Sequence, residues 1–174
     1  MEEWQEQLNK HLAGARNIAV LGIGNEMMGD DAAGALLARE LRHIEIQPFG
    51  PAQGKNSKIK IEIFEASTTP ENFTGAIRKL QPDLVVMVDA ADMGRDPGTI
   101  AFLDLSQMHN MMHSTHTLPL SFLAGYLEKM APAKVIALGI QAGHIKLDQP
   151  MTREVADSVK AVAKAFAEAL CGGK

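Results

Sequence analysis

With one cysteine, Cys171, the chain has no internal disulfide. In the tail LCGGK that thiol reads as an unremarkable group at a fraying end rather than a nucleophile. Basic residues are not in surplus. Lys and Arg number 17 against 21 Asp and Glu, a net charge of −4, which argues against nucleic acid as a partner. No apolar run approaches the roughly 20 residues of a membrane span. The leading MEEWQEQLNKHLAG is acidic and has no apolar signal core. A reducing cytoplasm, away from the membrane, is the expected setting. Internal repeats and low-complexity tracts are missing as well. What is present is 174 residues, 46% hydrophobic and 22% charged. That is one domain over residues 1–174, large enough to bury about 70% of the surface of its unfolded chain.

The apolar pattern predicts an α/β domain. IAVLGI (18–23), LVVMV (84–88) and VIALGI (135–140) are unbroken, as in strands covered on both faces. IKIEIF (59–64) alternates, so it is expected to be less covered and nearer an edge. IAFLDL (100–105) follows the turn Asp96-Pro97-Gly98 and makes a fifth strand. Its direction stays open, because a short connection allows an antiparallel course. Trp4, Leu8 and Leu12 mark a helix over residues 3–13. Leu36, Leu37 and Leu41 line a second helix, and Phe73, Ile77 and Leu80 a third, with Thr69 as N-cap and Pro70 at the first position. Leu120, Leu123, Leu127 and Met130 line a fourth. Val155, Val159, Val162, Phe166 and Leu170 line a fifth, capped by Thr152. QPFGPAQGKNSK (47–58) reads as a surface loop. The expectation is a three-layer sandwich, with a twisted, mostly parallel five-stranded sheet between helices. Ligands of such sheets gather beyond the carboxyl ends of the parallel strands.

The loop GIGNEMMGDD (22–31) lies at that edge. Gly22-Ile23-Gly24 opens like a dinucleotide loop, but the third glycine of the fingerprint is missing, with Met27 in its place. Two carboxylates stand where a pyrophosphate would sit and would repel it. No acid of the ribose-binding kind lies about 20 residues on, since Glu65 comes too late. Asp30 is expected to cap the first turn of the helix that follows. Asp31 needs a further reason, because adjacent carboxylates repel and a cation relieves that cost. A second acid, Asp89, ends the buried run LVVMV at the same edge. Asp92 reads as a turn or solvent residue. HNMMHSTHT (109–117) holds three histidines, but His109 and His113 lack the intervening Glu of a zinc protease helix. Asn25 can bond to the loop or to a substrate strand. Met27 and Met28 suit packing under the loop and adaptable contact with another chain equally.

GIGNEMMGDDAAG, VDAADMGRDPGTI, HSTHTLPLSFL, LGIQ and PMT follow one another in an order that resembles the maturation endopeptidases of NiFe hydrogenases. The branch most resembled processes hydrogenase 3, of the formate hydrogenlyase type. The similarity runs from about residue 17 to residue 168. It implies a peptidase that removes a short C-terminal peptide from the hydrogenase large-subunit precursor once nickel is inserted. It also implies that the nickel is met by Asp31, Asp89 and His116. His116 takes that place because it stands immediately before Thr117-Leu118-Pro119-Leu120. Three features depart from the pattern, one of them residues 47–58, which are longer than the usual connection. Ala66-Ser67-Thr68 stands where Asp-Gly-Gly is frequent, and Ala142-Gly143-His144 follows Gln141 where proline is common.

Two carboxylates and an imidazole form an O,O,N donor set that suits Ni2+ among other divalent ions. The expectation is that the nickel arrives with the substrate, so that only a loaded precursor offers a cation to the two acids. No Ser–His–Asp or Cys–His arrangement is evident. The alternative from another class is a non-catalytic nucleotide- or metal-binding module of similar fold.

Overall fold

A computed structural model of the protein describes residues 1–44, 59–106 and 119–171. The elements run α1 (Glu3–Leu12), β1 (Asn17–Ile23), α2 (Ala33–His43), β2 (Lys60–Ser67), α3 (Thr74–Leu80), β3 (Leu84–Ala91), β4 (Ile100–Phe102), α4 (Leu120–Met130), β5 (Lys134–Gln141) and α5 (Arg153–Cys171). Short 3-10 turns, Gly29–Ala32 and Pro70–Phe73, lead into α2 and α3. The expected loop 47–58 and the three histidines His109, His113 and His116 lie outside the described residues. No helix among the described residues is long and apolar enough to cross a membrane.

The five strands form one sheet in the order β2-β1-β3-β5-β4. β2, β1, β3 and β5 are mutually parallel, and β4 runs antiparallel to β5. Strand alternation then sorts the core into two layers. Ile18, Val20, Leu84, Val86, Val88 and Leu138 pack with α1, α2 and α5. Leu21, Val85, Met87 and Ala137 pack with α3 and α4 on the other face. The unbroken apolar runs follow from this double cover. β2 alternates because it is an edge strand with its first half partly exposed.

Three local expectations are corrected. Thr69 stands at the N-cap position but makes no side-chain cap bond, and the chain enters α3 through the 3-10 turn begun by Pro70. Met130, placed on the buried stripe of α4 by spacing, is among the exposed apolar side chains, because α4 ends there and the sheet no longer covers it. IAFLDL forms a strand only over Ile100–Phe102. Beyond it Leu103 and Leu105 pack against the α3/α4 layer instead.

α2 lies unusually close to the sheet. A Cβ on Gly34 would come within 2.1 Å of the Val88 carbonyl oxygen and 2.3 Å of that of Ile23. A Cβ on Gly22 would meet the Gly34 oxygen at 2.2 Å. Two glycines therefore let the helix backbone rest directly on the ends of β1 and β3. Gly34→Ala should lower the stability measured by urea unfolding by about 2–3 kcal/mol, since backbone must move to admit the methyl group. Gly75→Ala, at an open position of α3, should instead be neutral or stabilise by up to about 1 kcal/mol.

Candidate functional site

From β1 the chain crosses to β2 on one side, while β3 lies on the other. The connections diverge between the carboxyl ends of β1 and β3, which opens a crevice there. Asp31 sits in the turn after β1 and packs with that turn against β3. Asp89 is the sixth residue of β3, at its carboxyl end. Both are buried, at 3% and 4% exposure. Asp31 Oδ2 accepts the Asn25 backbone N–H at 3.0 Å, and Asn25 Oδ1 accepts that of Met27 at 3.0 Å. Asn25 thus bonds within its own loop. Alternation from Val85 and Met87 puts Asp89 on the α3/α4 side of the sheet. α4 has to end where β5 begins, so its first residue, Leu120, stands at the same carboxyl edge as Asp89.

The glycines of the first loop serve close packing rather than a phosphate. A Cβ on Gly24, whose φ is +142°, would come within 1.8 Å of the Asp31 carbonyl oxygen. The concave side of the loop is thus filled by its own backbone. The Ser67 carbonyl accepts the Gly24 N–H at 2.9 Å. Ser67 itself takes φ +49°, next to a register shift between β1 and β2. That is a conformation natural to glycine, and it falls in the segment where Asp-Gly-Gly was expected from the resemblance. At the departure after Gln141, the Ala142 N–H donates to the Ala91 carbonyl at 3.1 Å, a bond that proline could not make.

Asp30 does not cap its own helix, and here the sequence expectation is corrected. Its carboxylate, with 0% exposure, turns toward the loop after β5. Oδ2 accepts the N–H groups of Gly143 at 2.8 Å and His144 at 3.0 Å. Oδ1 accepts the Thr152 N–H at 2.6 Å, and the Thr152 hydroxyl donates to Oδ2 at 3.1 Å. Four donors outcompete a single cap bond. Thr152 holds the position before α5 as expected, with its hydroxyl committed to Asp30. Burial pushes the Asp30 pKa up, but the backbone N–H groups of Thr152, His144 and Gly143 and the Thr152 hydroxyl outweigh it, so the carboxyl is held below its ordinary value.

Gln141 is a buried polar position at this edge that sequence reasoning passed over. It is 5% exposed at the end of β5. Its Oε1 accepts the N–H groups of Met93 at 2.6 Å and Arg95 at 3.2 Å, which fixes the loop that leaves Asp89. The only available signal was a polar residue closing a buried strand. Asp92 is exposed and accepts the Gly94 N–H at 3.2 Å, the turn role expected of it. Glu65, at the end of β2, pairs with Arg39 and Arg42, and Arg39 also holds Glu26 of the first loop.

Among the described residues no group of three His, Cys, Asp or Glu side chains is arranged to hold a metal ion. The third expected ligand, His116, lies outside those residues. What the fold does bring to one edge is Asp31 and Asp89, two buried oxygen donors of the kind a divalent cation takes.

A carboxyl held below its ordinary pKa of about 3.9 contributes stability that is complete above that value. The contribution is lost as the pH falls through the lower folded value. Urea unfolding between about pH 2 and pH 7 should therefore show an acid limb that Asp30→Asn flattens, and the variant should lose about 2–3 kcal/mol at neutral pH.

The hydrogenase maturation protease family model matches residues 51–169. The hydrogenase 3 maturation protease of Escherichia coli K12 is 37% identical over 144 residues, spanning 82% of this chain and 84% of the relative. The fold matches the crystal structure of the NiFe hydrogenase maturation protease HycI from Thermococcus kodakarensis with a TM-score of 0.80 at 29% identity, covering 94% of this chain and 98% of that one. It matches the solution structure of the endopeptidase HycI from Escherichia coli with a TM-score of 0.66 at 34% identity, covering 85% and 87%. With carboxylates buried at the crevice of a five-stranded sheet and these likenesses along most of its length, the chain belongs to the hydrogenase maturation protease family, whose members are peptidases.

Proposed function

We propose that this protein is the cytoplasmic endopeptidase that removes the C-terminal peptide from the nickel-loaded large-subunit precursor of a NiFe hydrogenase, completing its maturation. The observation that carries the reading is the burial of Asp31, in the turn after β1, and of Asp89, at the carboxyl end of β3, on either side of the topological switch point. Burying two carboxylates at one edge is costly, and a divalent cation offsets that cost. In this reading the nickel is cargo of the substrate and not a resident cofactor. His116 is the third group to meet it.

The reaction is hydrolysis of one peptide bond. Water adds to the scissile carbonyl, the C–N bond breaks, and a new carboxylate and amine result. Nickel bound at the site supplies Lewis acidity toward the carbonyl or the water. Asp31 and Asp89 bind and orient, and one of the two carboxylates takes the proton of the attacking water. Their burial restricts bulk water, which strengthens each of these interactions. The alternative of a nucleotide-binding module is disfavoured by the first loop, whose glycines face the backbone of Asp31 and Gly34.

The direct test mixes the purified protein with nickel-loaded and nickel-free precursors and follows loss of the tail by mass spectrometry. Cleavage should be confined to the loaded form. Asp31→Ala, Asp89→Ala and His116→Ala should each lower the cleavage rate by at least about a hundredfold, since even the outer-shell partners of metal ligands cost 10–100-fold. Circular dichroism would confirm that each variant is folded. Full activity in any one of them removes that residue from the site, and equal cleavage of both precursors rejects the nickel checkpoint.

A further inference from the structure

We propose that Met27, Ile145 and Leu147 form a docking surface for an apolar stretch of the precursor beside its scissile bond; this rests on the function proposed above. Large apolar side chains that stand singly on a surface are ordinary. These three are not scattered. Met27 is 60% exposed, Leu147 59% and Ile145 38%. They sit on two loops that lie far apart in the sequence and are joined by direct hydrogen bonds. The Asp148 N–H donates to the Met27 carbonyl at 2.8 Å, and the Asp30 N–H to the His144 carbonyl at 3.2 Å. The Gly143 and His144 N–H groups bind the Asp30 carboxylate from the same side.

The surface is built in place. Asp148 takes φ +55°, a conformation that L side chains rarely adopt, and the Gln149 N–H donates to the Lys146 carbonyl at 3.4 Å. That turn presents Leu147 at its tip. With both loops tied to Asp30, the three side chains cannot relieve their exposure by collapsing inward. Met27 also resolves the two roles open to the methionine pair: it faces solvent, while Met28 is half-buried. A thioether on a fixed loop gives adaptable apolar contact.

Continuity with the site names the occupant. Met27 precedes Asp31 by four positions, and the Asp31 N–H donates to the Met28 carbonyl at 3.4 Å. A chain whose carbonyl reaches Asp31 and Asp89 must run past this patch or away from it, and an apolar patch retains only the segment that runs past it. Contiguous apolar groups at the rim of a polar site mark binding surfaces.

The test is steady-state cleavage of full-length nickel-loaded precursor by the wild type, by Met27→Ser/Leu147→Ser, and by the triple variant that adds Ile145→Ser. KM should rise at least about tenfold in the triple variant with kcat within about twofold, because three exposed side chains carry binding and not chemistry. Met27→Leu/Leu147→Met, which keeps the apolar surface, should restore KM. Met130→Ser, an exposed apolar change at the opposite edge of the sheet, should leave KM as it was. An unchanged KM in the triple variant overturns the proposal. So does an unchanged KM accompanied by a shift in sedimentation, which would assign the patch to a second copy of this chain. A wild type that cleaves no precursor and binds none by calorimetry overturns the proposed function itself, an outcome distinct from cleavage that ignores the patch.

Discussion

Asp30 places a carboxylate with no solvent exposure between three segments: the loop after β1, the loop after β5 and the start of α5. Its four donors come from residues 113 to 122 positions away in the chain. A buried carboxylate is stable only when its lone pairs are met by donors, and here they are met by the backbone N–H groups of Gly143, His144 and Thr152 and by the Thr152 hydroxyl. The interaction therefore closes the carboxyl edge of the sheet. With it in place the Asp31 turn is pressed against β3, and the 145–148 turn is held against Met27. Remove the charge, and each of these placements depends on looser contacts.

The adjacent acids thus divide the work. Asp30 faces into the protein and is consumed by structure. Asp31, one residue on, accepts a backbone N–H from its own loop and stays at the crevice. The 3-10 geometry of Gly29–Ala32 turns successive side chains by about 120°. One side chain can therefore point at α5 while the next points toward β3. Two like charges on neighbouring residues would ordinarily repel. Here the charge of the first is stabilised by four donors that turn it away from the second.

The sheet was legible in the sequence because burial on both faces erases alternation. β1, β3 and β5 are unbroken runs, and β2 alternates because it lies at the edge. The acids were legible as residues without a reason, standing at strand ends where ligands gather. The roles of those acids were not equally legible. A local rule assigned Asp30 to capping, since the donors that hold it are more than a hundred residues distant and no window contains them. Gln141 escaped for the same cause: its partners Met93 and Arg95 are 48 and 46 positions away. Thr69 failed as a cap because the proline after it opens a 3-10 turn whose geometry does not aim the hydroxyl at the first free N–H. Met130 shows the limit of periodicity, which names a face but not how far the neighbouring layer extends over it.

The closeness of α2 to the sheet links these levels. Gly22 and Gly34 let backbone meet backbone, so α2 begins directly above the ends of β1 and β3. A helix start favours negative charge, and this one carries Asp30 and Asp31 in the turn that leads into it. The same contact that fills the space a phosphate would need brings an acidic loop down onto the strand that ends in Asp89. A sequence that opens like an anion cradle becomes an edge lined by buried carboxylates through one geometric change. The glycines spend their missing side chains on close packing, and the polar groups left at the edge are the carboxylates.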